Sequence, residues 1–360
     1  MRLLVIRTSA MGDVALTVPV IAALRNQYQD LEIFIMTQKT FRPFFVSIPS
    51  LEFYFPDFAN RHKGLPGLVR LFSDLRRTVD PDILIDLHDV LRSKVIRAFF
   101  KLTGTPVYRI DKGRSEKKSL ITGKKKVFLK HTVERYADVL RKAGYRIDPI
   151  KQRCIVPKPG ELAAVEPLLA PGILNIGVAP FAKHDLKMWP LEYMRELLVL
   201  ISDNRKCRFF LFGGKEDSNK MEQFRDMFPG IVQVSGKPDL SQELALISRI
   251  DLMITMDSSN MHMAALCGTK VISIWGGTDP MAGFGPWMQP DSHSIRIQVE
   301  ELDCRPCTIY GKGKTRNDFA CMRRLTPGIV FARMKSQGVL NKEEEMGREG
   351  EGETRRLTDT

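Results

Sequence analysis

A chain of 360 residues is long enough for two domains with sizeable cores. Its 43% hydrophobic and 27% charged content is that of a globular protein. Its apolar runs are too short for a membrane span or a secretory leader, which excludes an integral helical membrane protein and predicts a cytoplasmic one. The 55 Lys and Arg against 42 Asp and Glu leave +13, a balance that suits a phosphorylated substrate, an anionic membrane face, nucleic acid, or simply a solvated basic surface. Aromatic content of 8%, with no rings interleaved in the lysine-rich run, argues against nucleic acid. Six cysteines fit a reducing compartment.

In chain order, Leu3–Ile6 reads as a buried strand, and Arg7-Thr8-Ser9-Ala10-Met11-Gly12-Asp13 as a turn. Val14–Tyr28 has helical spacing, with Pro19 expected to kink its second turn. A strand at Leu31–Met36 completes a βαβ unit, whose right-handed crossover makes the strands parallel. A helix at 65–78, a strand at Ile83–Ile85, a helix at 91–102 and a strand at Val107–Ile110 follow. Residues 112–130 carry Lys112, Arg114, Lys117, Lys118, Lys124, Lys125, Lys126 and Lys130 against the single acid Glu116, and read as a mobile loop for a phosphate-rich or lipid-headgroup partner. His131–Ala143 reads as a helix stopped by Gly144. Residues 149–172, with five prolines, read as an interdomain linker holding a helical turn or two at 161–169.

A second series then begins: strand Ile173–Val178, polar loop Ala179–Lys187, helix Trp189–Ile201, strand Arg208–Phe212, Gly213-Gly214-Lys215-Glu216, helix 218–227, strand 231–234 and helix 240–249. Residues 252–278 read as strand, polar turn, short helix and strand. Asp257-Ser258-Ser259-Asn260 cluster at the start of that helix, whose free amides and dipole favour an anion. Two α/β halves predict two doubly wound domains with a cleft between them. The expected division is residues 1–155, a linker at 156–172, residues 173–325, a final helix at 326–340 and a disordered tail at 341–360. Cys304-Arg-Pro-Cys307 and Cys321 lie in a basic, glycine-rich loop and read as a zinc site lacking a fourth ligand, a redox pair, or plain structural cysteines. Asp80-Pro-Asp82 reads as a turn, and no acidic pair has metal-site context.

Several pieces together resemble glycosyltransferase family 9, the bacterial heptosyltransferases of the lipopolysaccharide core, over residues 1–335. They are Arg7-x-Ser9-x-Met11-Gly12-Asp13, Lys187-x-Trp189-Pro190, Gly213-Gly214-x-Glu216, Asp257-Ser258-x-x-x-His262, Ala265-x-x-Gly268-Thr269, Gly277-Thr278-Asp279-Pro280 and Cys304-x-x-Cys307…Cys321-Met322. The family usually has glycine where this chain has Ser259. The resemblance implies a GT-B fold, two Rossmann-like domains with the active site between them. It also implies transfer of a sugar, with inversion, from a nucleotide diphosphate donor such as ADP-heptose to a hydroxyl of a lipopolysaccharide-core or related glycolipid. The N-terminal domain would take the acceptor and the C-terminal domain the donor.

Such a transfer needs a base, a positive group for the leaving diphosphate and a nucleoside pocket. Asp13 is the candidate base, with a helix cap as its structural alternative. Lys187 is the candidate for the leaving group, and Lys183 can share that role. Ser258, Ser259 and Asn260 offer amides and hydroxyls. His262 and Asp257 can reach phosphate or sugar hydroxyls, or be a core histidine and a helix cap. Thr278 lies in the next loop, and Glu216 suits a ribose diol. Ser9, Met11 and Gly12, with Lys124, Lys125 and Lys126, fall on the acceptor side. The expectation is a monomeric, metal-independent transferase without a cofactor, held peripherally at the inner face of the cytoplasmic membrane. A non-catalytic binder of phosphorylated glycolipid and a nucleotide-sugar epimerase on the same scaffold are the alternatives.

Overall fold

The structure is a computed structural model that describes residues 1–234, 239–314 and 317–341. The tail expected at 341–360 lies, beyond residue 341, outside the described residues. The first half runs β1 (Arg2–Ile6), α1 (Met11–Ala15), α2 (Val18–Gln27), β2 (Glu32–Met36), β3 (Leu51–Tyr54), α3 (Gly64–Thr78), β4 (Ile83–Asp86), α4 (Leu91–Leu102) and β5 (Val107–Arg109). Its strands form one parallel sheet in the order β3-β2-β1-β4-β5. Three helices follow: α5 (Arg114–Ile121), α6 (Thr132–Lys142) and α7 (Pro159–Val165).

The second half runs β6 (Leu174–Ala179), α8 (Leu191–Asn204), β7 (Cys207–Leu211), α9 (Ser218–Met227), β8 (Val232–Gln233), α10 (Leu240–Arg249), β9 (Leu252–Met256), α11 (Ser259–Leu266), β10 (Lys270–Ile274) and β11 (Ser294–Ile295). These strands form a second parallel sheet, β11-β10-β9-β6-β7-β8. Two helices, α12 (Ala320–Arg323) and α13 (Pro327–Ser336), close the described chain. Buried parallel strands need apolar side chains on both faces, and Leu3–Ile6, Ile176, Val178 and Leu252–Ile254 supply them.

Each sheet reverses its winding once, and the reversals locate the crevices. In the first sheet the chain moves outward from β1 to β3, then starts again at β4 on the other side of β1. The crevice therefore opens between the carboxyl ends of β1 and β4. In the second sheet the same reversal falls between β6 and β9. The two halves share one apolar core, in which Val14, Leu16 and Ile21 belong to the same cluster as Met261, Met263 and Trp275.

Five local expectations are corrected. The helix expected over Val14–Tyr28 is two helices. Thr17 breaks them, bonding Val14 O at 2.7 Å, and Pro19 sits in the first turn of α2, where its missing N–H costs nothing. The strand β3 has mixed burial and no clean alternation, so its pattern does not announce it. The final helix ends at Ser336. The run 112–130 is no free loop, since its first part is the helix α5. Its second part, with Thr132 just after it, also docks on the other half of the molecule, through Leu129 N to Met281 O (2.8 Å), Thr132 N to Gly283 O (2.9 Å) and Lys126 Nζ to Val299 O and Asp303 O (both 3.3 Å). The polar loop 179–187 likewise carries a 3-10 turn at Asp185–Lys187.

Gly283 makes this docking possible. It has φ +82°, and a methyl group on it would lie 2.5 Å from Lys130 O. Gly104 has nearly the same φ, +83°, with nothing within 4 Å. Gly104→Ala should therefore cost about 1 kcal/mol of backbone strain, and Gly283→Ala about 3 kcal/mol or more, measured by urea unfolding of the full chain.

Candidate active site

At the first crevice the turn after β1 presents Asp13 in the first turn of α1. The cap of that helix is Ala10 and makes no side-chain bond, so Asp13 is not spent on capping. Its Oδ2 lies 2.5 Å from a terminal nitrogen of Arg7, whose side chain is only 8% exposed against 33% for Asp13. Arg7 is fixed by its other terminal nitrogen, which donates to Leu87 O (2.7 Å). The Tyr136 hydroxyl donates to Asp13 O at 3.3 Å. From the β4 side comes His88, whose two ring nitrogens meet the Thr8 hydroxyl and the Ser9 hydroxyl, each at 3.2 Å. Burial, with Arg7 and Lys112 beside it, pushes the His88 pKa down to about 4, so the ring is neutral.

The wall of this crevice is cationic. Lys112 Nζ donates to Asp89 O (3.2 Å), and Arg114 pairs with Asp89 at 2.9 Å. Lys117, on α5, is buried against the rings of Phe284 and Tyr310, its ammonium 4.1 Å and 5.8 Å from their centres. Burial and the nearby Arg135 pull its pKa down to about 8, while the charge of Asp13 opposes them. Of the lysines expected here, Lys124 and Lys125 are exposed and Lys126 is tied to the other half. The lysines of this run that feel the charge of Asp13 are Lys117 and Lys112. Sequence spacing signals Lys117 weakly: on a helix, Lys117 and Leu120 share the inward face, but the run looks like solvated loop until the helix is recognised.

At the second crevice Lys187 and Asp257 meet, Nζ to Oδ2 at 2.8 Å, with side chains 16% and 8% exposed. Lys187 is aimed by its neighbour Trp189, which is 1% exposed and donates its ring N–H to Leu325 O (2.9 Å). Asp257 does not cap α11. Ser258 occupies the cap position without a side-chain bond to the helix, its hydroxyl lying instead 3.1 Å from Thr255 Oγ1. Ser259 and Asn260 are half-buried in the first turn. Glu216 is exposed beyond β7, its carboxylate folded over Gly214, and Lys183 is exposed. Thr278 is 1% exposed, with a hydroxyl that has no partner among the described residues. Among the described residues the six cysteines form no disulfide, and no cluster of three or more His, Cys, Asp or Glu is arranged to hold a metal.

The two crevices face each other because α1 packs directly on α11. A methyl group built on Gly12 would lie 2.9 Å from His262 Cδ2 and 3.4 Å from Ser259 Cα. Met11 is half-buried against the shared core. His262 is thus an interface residue, 7% exposed, with its Nδ1 buried and unpartnered among the described residues. Burial lowers its pKa to about 4 from an ordinary 6.5, so at neutral pH it is an uncharged ring. Between those values the unfolded chain holds more protons than the folded one, so this histidine makes stability rise with pH through that window and fall on acidification. The loss of stability from pH 7 to pH 4.5 should shrink by roughly 2 kcal/mol in His262→Gln, read from urea midpoints, leaving the shares of the other buried groups, His88 among them.

Comparison with known proteins places this fold in a family. The family model described as glycosyltransferase family 9 (heptosyltransferase) matches residues 68–312. Lipooligosaccharide heptosyltransferase 2 of Haemophilus influenzae is 24% identical over 324 residues, 84% of this chain and 90% of that protein. The solved ADP-heptose lps heptosyltransferase II of E. coli superposes with a TM-score of 0.69 at 19% identity, covering 94% of this chain and 98% of that one. The glycosyl transferase family 9 structure from Veillonella parvula gives 0.71 at 18%, covering 94% and 97%. With the family model spanning more than half of a chain whose two parallel sheets adopt the GT-B arrangement, the protein belongs to glycosyltransferase family 9 and is a glycosyltransferase.

Proposed function

We propose that this enzyme transfers heptose, with inversion, from ADP-heptose to a hydroxyl of a lipopolysaccharide-core glycolipid. The acceptor is taken by the N-terminal domain and the donor by the C-terminal domain. One observation carries the reading: a carboxylate at one crevice and a Lys–Asp pair beside an uncapped helix start at the other, brought face to face by Gly12 and His262. Relatives named for heptosyl transfer and for ADP-heptose support the choice of sugar and nucleotide.

In this reading Arg7 holds one oxygen of Asp13, and the other takes the proton of the acceptor hydroxyl. The acceptor oxygen bonds to the anomeric carbon as the bond from that carbon to the diphosphate oxygen breaks. ADP leaves with the electron pair. Lys187 and the first amides of α11 stabilise the charge that develops on the diphosphate. Asp257, released from Lys187 as the diphosphate arrives, turns to sugar hydroxyls. The cations around Asp13, with Lys117 foremost, hold an anionic group of the acceptor. Membrane association is peripheral. Among the described residues no helix is long and apolar enough to cross a bilayer, while Leu65 and Val69 on α3 and Leu91 on α4 are exposed among Arg70, Arg92 and Lys94.

Two experiments test the reading. Asp13→Asn should lower kcat by about a thousandfold while ADP still raises the melting temperature of the variant as it does that of the parent. Sugar transfer at the parent rate in Asp13→Asn removes the base. ADP-heptose isomerised without acceptor points to an epimerase, and donor that is neither transferred nor isomerised to a non-catalytic binder. For the acceptor, the Lys117 charge is present below pH 8 and lost above it, so acceptor KM should climb as pH passes about 8. Lys117→Met should raise acceptor KM at pH 7 by roughly tenfold or more and flatten that rise.

A further inference from the structure

The Cys304-Arg-Pro-Cys307 segment stands out in the sequence for its cysteines, yet the charged group it buries is Arg305, 1% exposed. The Arg305 guanidinium donates through Nε to Gly276 O at 2.9 Å and through a terminal nitrogen to Thr278 O at 3.0 Å. Its other terminal nitrogen donates to Ile297 O. Between those two carbonyls, Gly277 O accepts from the amides of Cys307 (3.0 Å) and Thr308 (3.1 Å). The same segment therefore captures three successive carbonyls of the loop that leaves β10.

That loop borders the second crevice. Ile274 pairs with Met256 at the ends of β10 and β9, so the loop starts beside Asp257 and Ser258. Its Gly277 amide donates to Leu186 O (2.9 Å), the residue before Lys187. A peptide unit carries its N–H and C=O on opposite sides, and carbonyl oxygens facing a diphosphate would repel it. Arg305 cannot itself reach a ligand: it is enclosed, and Asp279 Oδ2 lies 3.1 Å from it, opposing its charge. Its effect is on the direction of the loop's peptides.

We propose that Arg305 is a positioning residue for the donor, holding the Gly276 and Thr278 carbonyls away from the diphosphate; the amide behind Gly276 O is already given to Leu186, so the amide turned toward the diphosphate is that of Asp279, behind Thr278 O, together with that of Thr278, behind Gly277 O. The proposal rests on the donor reading given above. The Cys-x-x-Cys pair frames this arginine, and the Cys307 amide shares its task.

The test uses the full chain and three variants: Arg305→Lys, Arg305→Met with Asp279→Asn, and Asp279→Asn alone. The double variant removes the carboxylate that would otherwise be left buried with only Arg296, 3.7 Å away, to balance it. Melting temperature, ADP affinity by calorimetry, and KM for ADP-heptose and for acceptor are measured on each. Arg305→Lys should weaken ADP and raise donor KM by about tenfold, and the double variant by about a hundredfold, with acceptor KM within twofold of the parent. In the double variant the donor defect should persist even where the melting temperature matches Asp279→Asn. Donor KM and ADP affinity at parent values in Arg305→Lys, or donor and acceptor KM rising together, would overturn the assignment and leave Arg305 a purely structural residue. A parent enzyme that neither binds ADP nor transfers heptose would overturn the donor reading itself, whatever the variants do.

Discussion

Everything in this active site depends on how closely α1 and α11 approach. Each sheet makes its own crevice by reversing its winding, and in the proposed reaction each crevice supplies half of the chemistry. Only the absence of a side chain at Gly12 lets the two halves come within reach of one another, with His262 packed where a methyl group would otherwise be. The shared core around Val14, Met261 and Trp275 makes that approach a packing requirement as well as a catalytic one.

The electrostatics follow from this closeness. A narrow, partly dry cleft is costly for any lone charge, so each charge is held against an opposite one: Asp13 against Arg7, and Asp257 against Lys187. Other buried polar groups here are neutral. His88 and His262 are both kept uncharged by burial, and the Thr278 hydroxyl carries no charge at all. Lys117 stands apart, a buried cation resting on aromatic faces.

The two-domain α/β fold was legible in the sequence because parallel strands buried on both faces are continuous apolar runs, and Leu3–Ile6, Leu252–Thr255 and Val271–Trp275 are such runs. The strand β3 is an edge strand of mixed burial and gives no such signal. Asp13, Lys187 and Asp257 could be singled out as candidates because the motif resemblance places each in the polar segment that follows a parallel strand, and their roles remain those proposed above. Their partners could not be singled out. No spacing announces that Arg7 clamps Asp13 or that Lys187 pairs with Asp257 across 70 positions of chain, since only the meeting of β6 and β9 creates the second contact. Arg305 was hidden for a different reason: cysteine spacing draws the eye to metal and redox chemistry, while a buried arginine looks like one more member of a basic loop.

The docking of residues 126–132 on the other half has a consequence for exchange between relatives. Leu129, Thr132 and His131 bond to the backbone of Met281, Gly283 and Gly285, not to side chains, and Trp287 bonds back to Ile150 O. Backbone acceptors are blind to sequence, so the seam tolerates drift in the side chains of the accepting residues, while the donating side chains of Lys126, His131, Thr132 and Trp287 are fixed. It is nevertheless intolerant of length, because one inserted residue would shift every amide out of register with its carbonyl. A chimera that joins this N-terminal half to a relative's C-terminal half should therefore be chosen by matching loop length and the glycine at 283, rather than by overall identity.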